Sequence, residues 1–181
     1  MQMVAPVLAG LDTEPPQAPV LVLGLGNILM MDEGVGVAVV ENLHTRYRVP
    51  PEVELLDGGT SGMALLDDLR MRKALIVVDA IRTGQPPGTV VVLKDDAVPA
   101  FFRSRVSPHQ LALSDVLAVL ILTGEAPANI CVIGVEPLSL ETHLGLSDLV
   151  EARVEELTMQ VVATLDALGY AITTQVEGQT S

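Results

Sequence analysis

The stretch that decides the fold is Val20–Leu43, which reads VLVLGLGNILMMDEGVGVAVVENL. It begins with the short apolar run Val20–Gly24, which is closed by glycine, as expected for a strand buried on both faces. A loop through Asn27 and Asp32 follows. From Glu33 to Arg46 the apolar residues then recur at helical spacing. A buried strand followed by a helix is typical of an α/β domain.

The rest of the chain continues this alternation. Helices are predicted for the MALLDDL run at residues 63–69, for Leu111–Leu122, and for a long segment that Ser147 caps and that ends near Leu168. The remaining predicted strands are Val53–Leu56, Ala74–Val78, Thr89–Leu93 and Ile130–Val135. We therefore expect a three-layer α/β sandwich, whose twisted sheet has about five mostly parallel strands and helices on both faces. The Thr89 strand follows its predecessor so closely that we expect an antiparallel edge strand.

The length of 181 residues and the 49% hydrophobic content suit a single domain with a real core. Only 2% of residues are aromatic, so that core must be aliphatic. The pattern predicts a flexible N-terminal extension at residues 1–19, one α/β domain at residues 20–169, and a polar C-terminal tail at residues 170–181.

The composition excludes several classes of function. Ten basic and 23 acidic residues give a formal charge of -13, which repels nucleic acid and anionic membrane surfaces. No apolar run has the length of a membrane span, and the first residues lack a basic signal-peptide region. Cys131 is the sole cysteine, so no disulfide can form within the chain. We expect a cytoplasmic protein with no nucleic-acid partner and no membrane insertion.

Ligands of open α/β sheets bind beyond the carboxyl ends of the strands, where the loops after Gly24, Asp57 and Asp79 are expected. The glycine loop at residues 24–29 invites a dinucleotide interpretation. However, the third glycine of that fingerprint is replaced by Leu29, and acidic residues follow where a pyrophosphate would bind. Nucleotide binding is therefore disfavoured but kept as an alternative.

Three residues near this edge are metal donors of ordinary types: Glu33 at a helix start, Asp79 at a strand end and His109 before a helix. Their spacing matches no local metal motif, and each has a plainer interpretation. Glu33 suits a first helical turn, Asp79 suits a turn, and His109 suits a loop or N-cap. The prediction of one metal site therefore depends on their convergence at one edge of the sheet.

Other candidates are weaker. His44 lies late in the first helix, where an exposed cation favours the helix dipole. His143 lies in the loop after the fifth strand, either as a surface residue or as a support for the site. Cys131 lies within an apolar strand, Ser61 has no adjacent base, and no G-x-S-x-G motif occurs. Any hydrolysis would therefore use metal-activated or substrate-assisted water rather than a covalent nucleophile.

Five segments together resemble the nickel-iron hydrogenase maturation endopeptidases, over about Val20–Leu168. In chain order they are GLGNILMMDEGVG at 24–36, LLDGGTSGMALL at 55–66, VVDAI at 77–81, SPHQLALSDVL at 107–117, and GVEPLSLETHLGLS at 134–147. The resemblance implies that Glu33, Asp79 and His109 are the metal-binding and catalytic residues. It also implies that the Asp57–Thr60 loop borders the cleft.

The same resemblance implies an activity, of aspartyl or metal-dependent type. Such an endopeptidase removes the C-terminal extension of the nickel-iron hydrogenase large-subunit precursor after nickel insertion. The nickel carried by the substrate is then the recognition element, and the isolated chain would hold no metal or a surrogate divalent ion. A non-cleaving, nickel-sensing chaperone of the large subunit is the alternative, because it would need the same three ligands.

Overall fold

The computed structural model describes residues 17–94, 97–98 and 108–175, with the backbone alone for residues 108–112. Its strands are β1 Val20–Leu25, β2 Tyr47–Arg48, β3 Val53–Gly59, β4 Ala74–Ala80, β5 Val90–Lys94, β6 Asn129–Val135 and β7 Thr173–Thr174. Its α-helices are α1 Val35–Arg46, α2 Leu66–Leu69, α3 Pro108–Thr123, α4 Asp148–Glu151 and α5 Val154–Ala167. Short 3-10 turns, Met31–Gly34 and Met63–Leu65, precede α1 and α2. The predicted alternation of strands and helices is confirmed.

Five strands form the main sheet in the order β3-β1-β4-β6-β5. The pairs β1·β3, β1·β4 and β4·β6 are parallel, whereas β5 runs antiparallel to β6 at one edge. The expectation of an antiparallel edge strand is therefore confirmed. Its neighbour is β6 rather than β4, because β6 lies between these two strands.

Helices cover both faces of the sheet, as the three-layer prediction requires. Alternate residues of β1 point to opposite faces: Val20 and Val22 pack with α1 and α5, and Leu21 and Leu23 pack with α2 and α3. All four side chains are fully buried. Burial on both faces explains why β1 is continuously apolar rather than alternating.

The predicted helix from Ser147 to Leu168 is wrong as a single element, because it is two helices. Ser147 does cap α4, since its hydroxyl accepts a hydrogen bond from the Val150 N–H. The Arg153 N–H donates a hydrogen bond to the Val150 carbonyl, three residues earlier in the chain. This spacing is that of a 3-10 turn, which is tighter than an α-helical turn and separates α4 from α5. The apolar spacing continues across this break, so the pattern could not reveal it.

Two boundaries near the carboxyl edge also differ from expectation. The strand β3 continues past Leu56 to Gly59, and a register irregularity lies opposite it between Gly24 and Leu25. Helix α3 begins at Pro108, so His109 lies within its first turn rather than before it. Proline suits the first position of a helix, because its missing N–H would have no partner there.

Both predicted terminal segments contribute contacts. In the predicted tail, β7 pairs antiparallel with β2, and Ile172 is buried. At the other end, the Gln17 amide donates to the carbonyls of Asp67 and Asp68 in α2. Residues 1–16 and 176–181, and most of the predicted loop from Lys94 to Pro108, lie outside the described residues. Within the described part of the chain, no helix combines the length and apolarity needed to cross a membrane.

Candidate functional site

The topology selects the crevice between β1 and β4. The chain leaves β1 towards β3 on one side, and leaves β4 towards β5 and β6 on the other. In open α/β sheets the carboxyl ends of two such strands form the usual ligand crevice. Glu33 lies in the turn after β1, and Asp79 is the next-to-last residue of β4. The structure therefore places two of the three predicted ligands at this point.

Glycines allow the start of α1 to lie directly on the ends of these strands. A Cβ added to Gly36 would lie 2.3 Å from the carbonyl oxygens of both Leu25 and Val78. Gly26 has a φ of +128°, and a Cβ there would lie 1.6 Å from the Glu33 carbonyl oxygen. Close backbone approach within the chain therefore accounts for the glycine pattern, with no pyrophosphate required.

Glu33 and Asp79 are both buried, with 8% and 2% of their surfaces exposed. The 3-10 turn that carries Glu33 contacts β4, which carries Asp79. Strand alternation places Asp79 on the face of Leu75 and Val77, which is the face that α2 and α3 cover. Two buried carboxylates at one edge provide hard oxygen donors of the kind that divalent cations bind.

His109 is placed by the course of α3. This helix ends at the amino edge of the sheet, where the Glu125 carbonyl accepts a hydrogen bond from the Met71 N–H at 2.8 Å. Its 16 residues span about 24 Å, roughly the length of β4, so its first turn lies towards the carboxyl edge. The His109 side chain is outside the described residues. Among the side chains that are described, no three His, Cys, Asp or Glu residues could hold a metal, so the triad stays a prediction.

Asp32 is a structural residue that the sequence reasoning missed. It is fully buried, and its carboxylate accepts four hydrogen bonds. The donors are the N–H groups of Leu138 at 2.8 Å, Ser139 at 3.1 Å and Ser147 at 2.7 Å, and the Ser147 hydroxyl at 3.0 Å. Asp32 thereby ties the turn that carries Glu33 to the loop after β6. An acid immediately after the glycine loop was the available signal, but we interpreted it only as negative charge.

Backbone pairing strengthens the same connection. The Met31 N–H donates to the His143 carbonyl at 2.9 Å, and the His143 N–H donates to the Leu29 carbonyl at 3.0 Å. The side chain of His143 is exposed, so its described role is that of a loop residue near the site. His44 is exposed near the end of α1, with Nδ1 3.2 Å from the Val40 carbonyl, which agrees with its plainer interpretation.

The Asp57–Thr60 loop lies beside the glycine loop, on the β3 side of β1. Gly59 has a φ of +49°, and its N–H donates to the Asp57 carboxylate at 2.9 Å. Its carbonyl accepts a hydrogen bond from the Gly26 N–H, also at 2.9 Å. The loop therefore lies against the glycine loop, and its role at the cleft stays a prediction.

Glu136, at the end of β6, fixes the connection that leaves β4. Its carboxylate accepts hydrogen bonds from the Thr83 N–H at 2.6 Å, the Thr83 hydroxyl at 2.7 Å and the Gln85 N–H at 3.3 Å. Burial acts to raise the pKa of Glu136, but the hydrogen bonds from Thr83, Gly84 and Gln85 together outweigh it and lower that pKa. The carboxylate is therefore ionised near neutral pH and acts as a fixed acceptor.

Cys131 is poorly placed for chemistry beside Asp79. It is buried in β6, where it lies in register with Ile76 and packs in the core beneath α1 and α5. Asp79 points to the opposite face of the sheet and is in register with Gly134. The geometry agrees with the expectation that the thiol packs rather than reacts.

The comparisons with known proteins agree on one family. The model of the hydrogenase maturation protease family matches residues 37–164. The Hydrogenase 2 maturation protease of Escherichia coli is 51% identical over 151 residues, which are 83% of this chain and 92% of that protein. The hydrogenase expression/formation protein HupD of Rhodobacter capsulatus is 42% identical over 156 residues, covering 85% of this chain and 74% of that protein.

Solved structures give the same result. The hydrogenase maturating endopeptidase HybD of E. coli superposes with a TM-score of 0.85 at 48% identity, covering 88% of this chain and 99% of that one. A [NiFe] hydrogenase maturation protease from Thermococcus kodakarensis has a TM-score of 0.67 at 25% identity, over 80% of this chain and 97% of that one.

Proposed function

This chain belongs to the hydrogenase maturation protease family and is an endopeptidase, and we propose that it removes the C-terminal extension of a nickel-iron hydrogenase large-subunit precursor. The reaction adds water across one peptide bond, giving a carboxylate on the mature subunit and an amine on the released peptide. The partner is the precursor protein. We place the reaction in the cytoplasm, in keeping with a chain that has one cysteine and no internal disulfide.

One observation carries the proposal: the 3-10 turn that bears Glu33 contacts β4, which bears Asp79 near its end. Two buried carboxylates at one edge of the sheet favour the approach of a cation. Adding the His109 imidazole would give a mixed oxygen and nitrogen donor set that suits nickel. We propose that these three residues engage nickel that the precursor already holds, so that the metal arrives as part of the substrate.

This arrangement would make cleavage depend on nickel insertion. A precursor that lacks nickel would offer these three residues no metal to bind, so the productive complex would be less stable. The backbone of the Asp57–Thr60 loop lies against the glycine loop, and we propose that it binds the extended substrate chain. The support is geometric: the loops after β1, β3 and β4 all meet at one edge.

The proposal is tested with single variants and the nickel-loaded precursor. Glu33→Gln, Asp79→Asn and His109→Ala should each stop loss of the C-terminal peptide, measured by the mass of the large subunit, while circular dichroism shows a folded protein. His44→Ala and Cys131→Ala are matched controls that should still cleave. A folded Asp79→Asn variant that cleaves at the wild-type rate would remove Asp79 from the site. Binding of the precursor with no mass change for the wild-type chain would favour the chaperone.

A further inference from the structure

A groove of about 620 Å³ runs along the outer side of α1, away from the sheet. One wall is a single face of α1, which includes Val37, Glu41 and Thr45. The other wall is formed by the loop before α4 and by the starts of α4 and α5, including Glu151 and Val154. None of these side chains takes part in the site described above.

The two ends of the groove differ. One end opens beside Met31 and Gly34, the residues that flank the Asp32–Glu33 pair. At the other end, Arg46 of α1 forms an ion pair with Glu155 of α5. One end of the groove therefore lies next to the turn that carries Glu33.

The charge of the groove is unbalanced. Arg46 is already paired with Glu155, whereas Glu41 and Glu151 are exposed on opposite walls. Neither of them has an ion-pair partner within the described part of the chain. Between them lie aliphatic side chains such as Val37 and Val154. This chemistry suits an extended segment that carries a lysine or arginine between aliphatic residues.

Two alternative occupants are disfavoured. Residues 1–16 and 176–181 contain no lysine or arginine, so neither terminal segment offers a basic side chain to this groove. A second copy of the chain carries the same formal charge of -13, which disfavours its approach to an acidic groove. An endopeptidase, by contrast, must hold the chain that it cuts on at least one side of the scissile bond.

We propose that this groove binds the segment of the precursor next to the cut, with a basic side chain between Glu41 and Glu151. Glu41 lies about 10 Å along α1 from Gly34, which is the length of about three extended residues. The basic side chain therefore lies about three residues from the scissile bond. This inference rests on the proposed function, because it takes the precursor as the substrate.

The test compares two double variants of equal net charge. Glu41→Gln with Glu151→Gln neutralises the groove, whereas Glu52→Gln with Asp166→Asn neutralises two exposed carboxylates elsewhere. With nickel-loaded precursor we expect KM to rise about five- to tenfold for the groove variant, with little change in kcat and no change for the control. The difference should vanish at about 1 M salt, where screening removes exposed charge pairs.

Precursor binding is measured in the same samples, so that the two proposals can fail separately. If the wild-type chain binds the precursor but leaves its mass unchanged, the proposed function fails. The groove inference is then still tested by comparing the dissociation constants of the precursor for the groove variant and for the control variant. If the groove variant and the control have equal KM and equal affinity at low salt, the groove inference is wrong. Equal losses in both variants would also overturn it, because they would reflect net charge alone.

Discussion

Gly26 shows, at the scale of one residue, how the glycine loop controls the site. Its φ of +128° disfavours any side chain, and a Cβ would lie 1.6 Å from the Glu33 carbonyl oxygen. Gly26→Ala should therefore displace the turn that carries Glu33. We expect cleavage to fall about 100-fold, because a displacement of 1 Å in a reacting group costs that much. The measurement is kcat/KM with the nickel-loaded precursor.

Gly84→Ala is the matched control for this prediction. Gly84 also has a positive φ, +80°, but its Cβ would meet no atom within 4 Å. This substitution should cost about 1 kcal/mol of stability through backbone strain and leave cleavage unchanged. If both variants lose cleavage equally, backbone strain rather than the contact with Glu33 explains the result.

Asp32 gives a second prediction at this scale. Asp32→Asn replaces one carboxylate oxygen by an NH₂ group that would face N–H donors from the loop after β6. We expect the free energy of unfolding to fall by about 3 kcal/mol, because buried donors lose a charged acceptor. Urea denaturation measures this loss, and the exposed Asp166→Asn is the control. Surface substitutions usually change the free energy of unfolding by less than about 0.5 kcal/mol. A loss that small for Asp32→Asn would contradict the stabilising role of its hydrogen bonds to the loop after β6.

The sequence could indicate Glu33 and Asp79 because Glu33 comes after a recognisable buried strand and Asp79 lies at the end of another. It could not separate Asp32 from Glu33, since both are acids at the start of the same helix. Their different roles arise from the loop after β6, more than 100 residues away in the chain, which supplies the donors to Asp32. Local patterns contain no information about such a partner.

At the scale of elements, Glu136 joins the end of β6 to the connection that leaves β4. Its pKa in the folded chain is lowered from the ordinary value of 4.5. A group with a lowered folded pKa stabilises the fold above its unfolded pKa, and this contribution disappears as the pH falls through the folded pKa. The stabilisation from Glu136 should therefore be complete at neutral pH and shrink below about pH 4.5.

Comparison with Glu136→Gln isolates this effect from the other carboxylates. The wild-type chain should be more stable at pH 7, and the difference in unfolding free energy should decrease steadily below about pH 4.5. Denaturant titrations at several pH values give the difference. If the difference in unfolding free energy between the wild-type chain and Glu136→Gln stays constant down to pH 3, Glu136 does not titrate as proposed.

Element boundaries explain most of the other differences from the sequence prediction. A backbone hydrogen bond from Arg153 to Val150 marks the break between α4 and α5, and the apolar spacing is the same on both sides of it. The two-residue strands β2 and β7 are too short to produce a periodic signal, and each is defined by the other. Such features arise from tertiary pairing, so the local sequence does not specify them.

At the scale of the whole molecule, the sequence predicted the architecture well because its strands are buried on both faces. Continuous apolar runs such as Val20–Leu23 require helices above and below the sheet, which fixes the three layers. Strand order was harder to predict. In the sheet β6 lies between β4 and β5, and no local sequence pattern indicates that β5 pairs with β6. The sheet edge predicted for the site did not depend on this order, because β1 and β4 are adjacent and parallel.

The central claim is that this chain cuts the nickel-loaded large-subunit precursor at a site that contains Glu33, Asp79 and His109. The most direct measurement is the mass of the large subunit after incubation of nickel-loaded and nickel-free precursor with the purified wild-type chain. We predict loss of a C-terminal peptide from the nickel-loaded precursor alone, and no loss with folded Asp79→Asn. An unchanged mass for the nickel-loaded precursor, or equal cleavage of both precursors, would contradict the account.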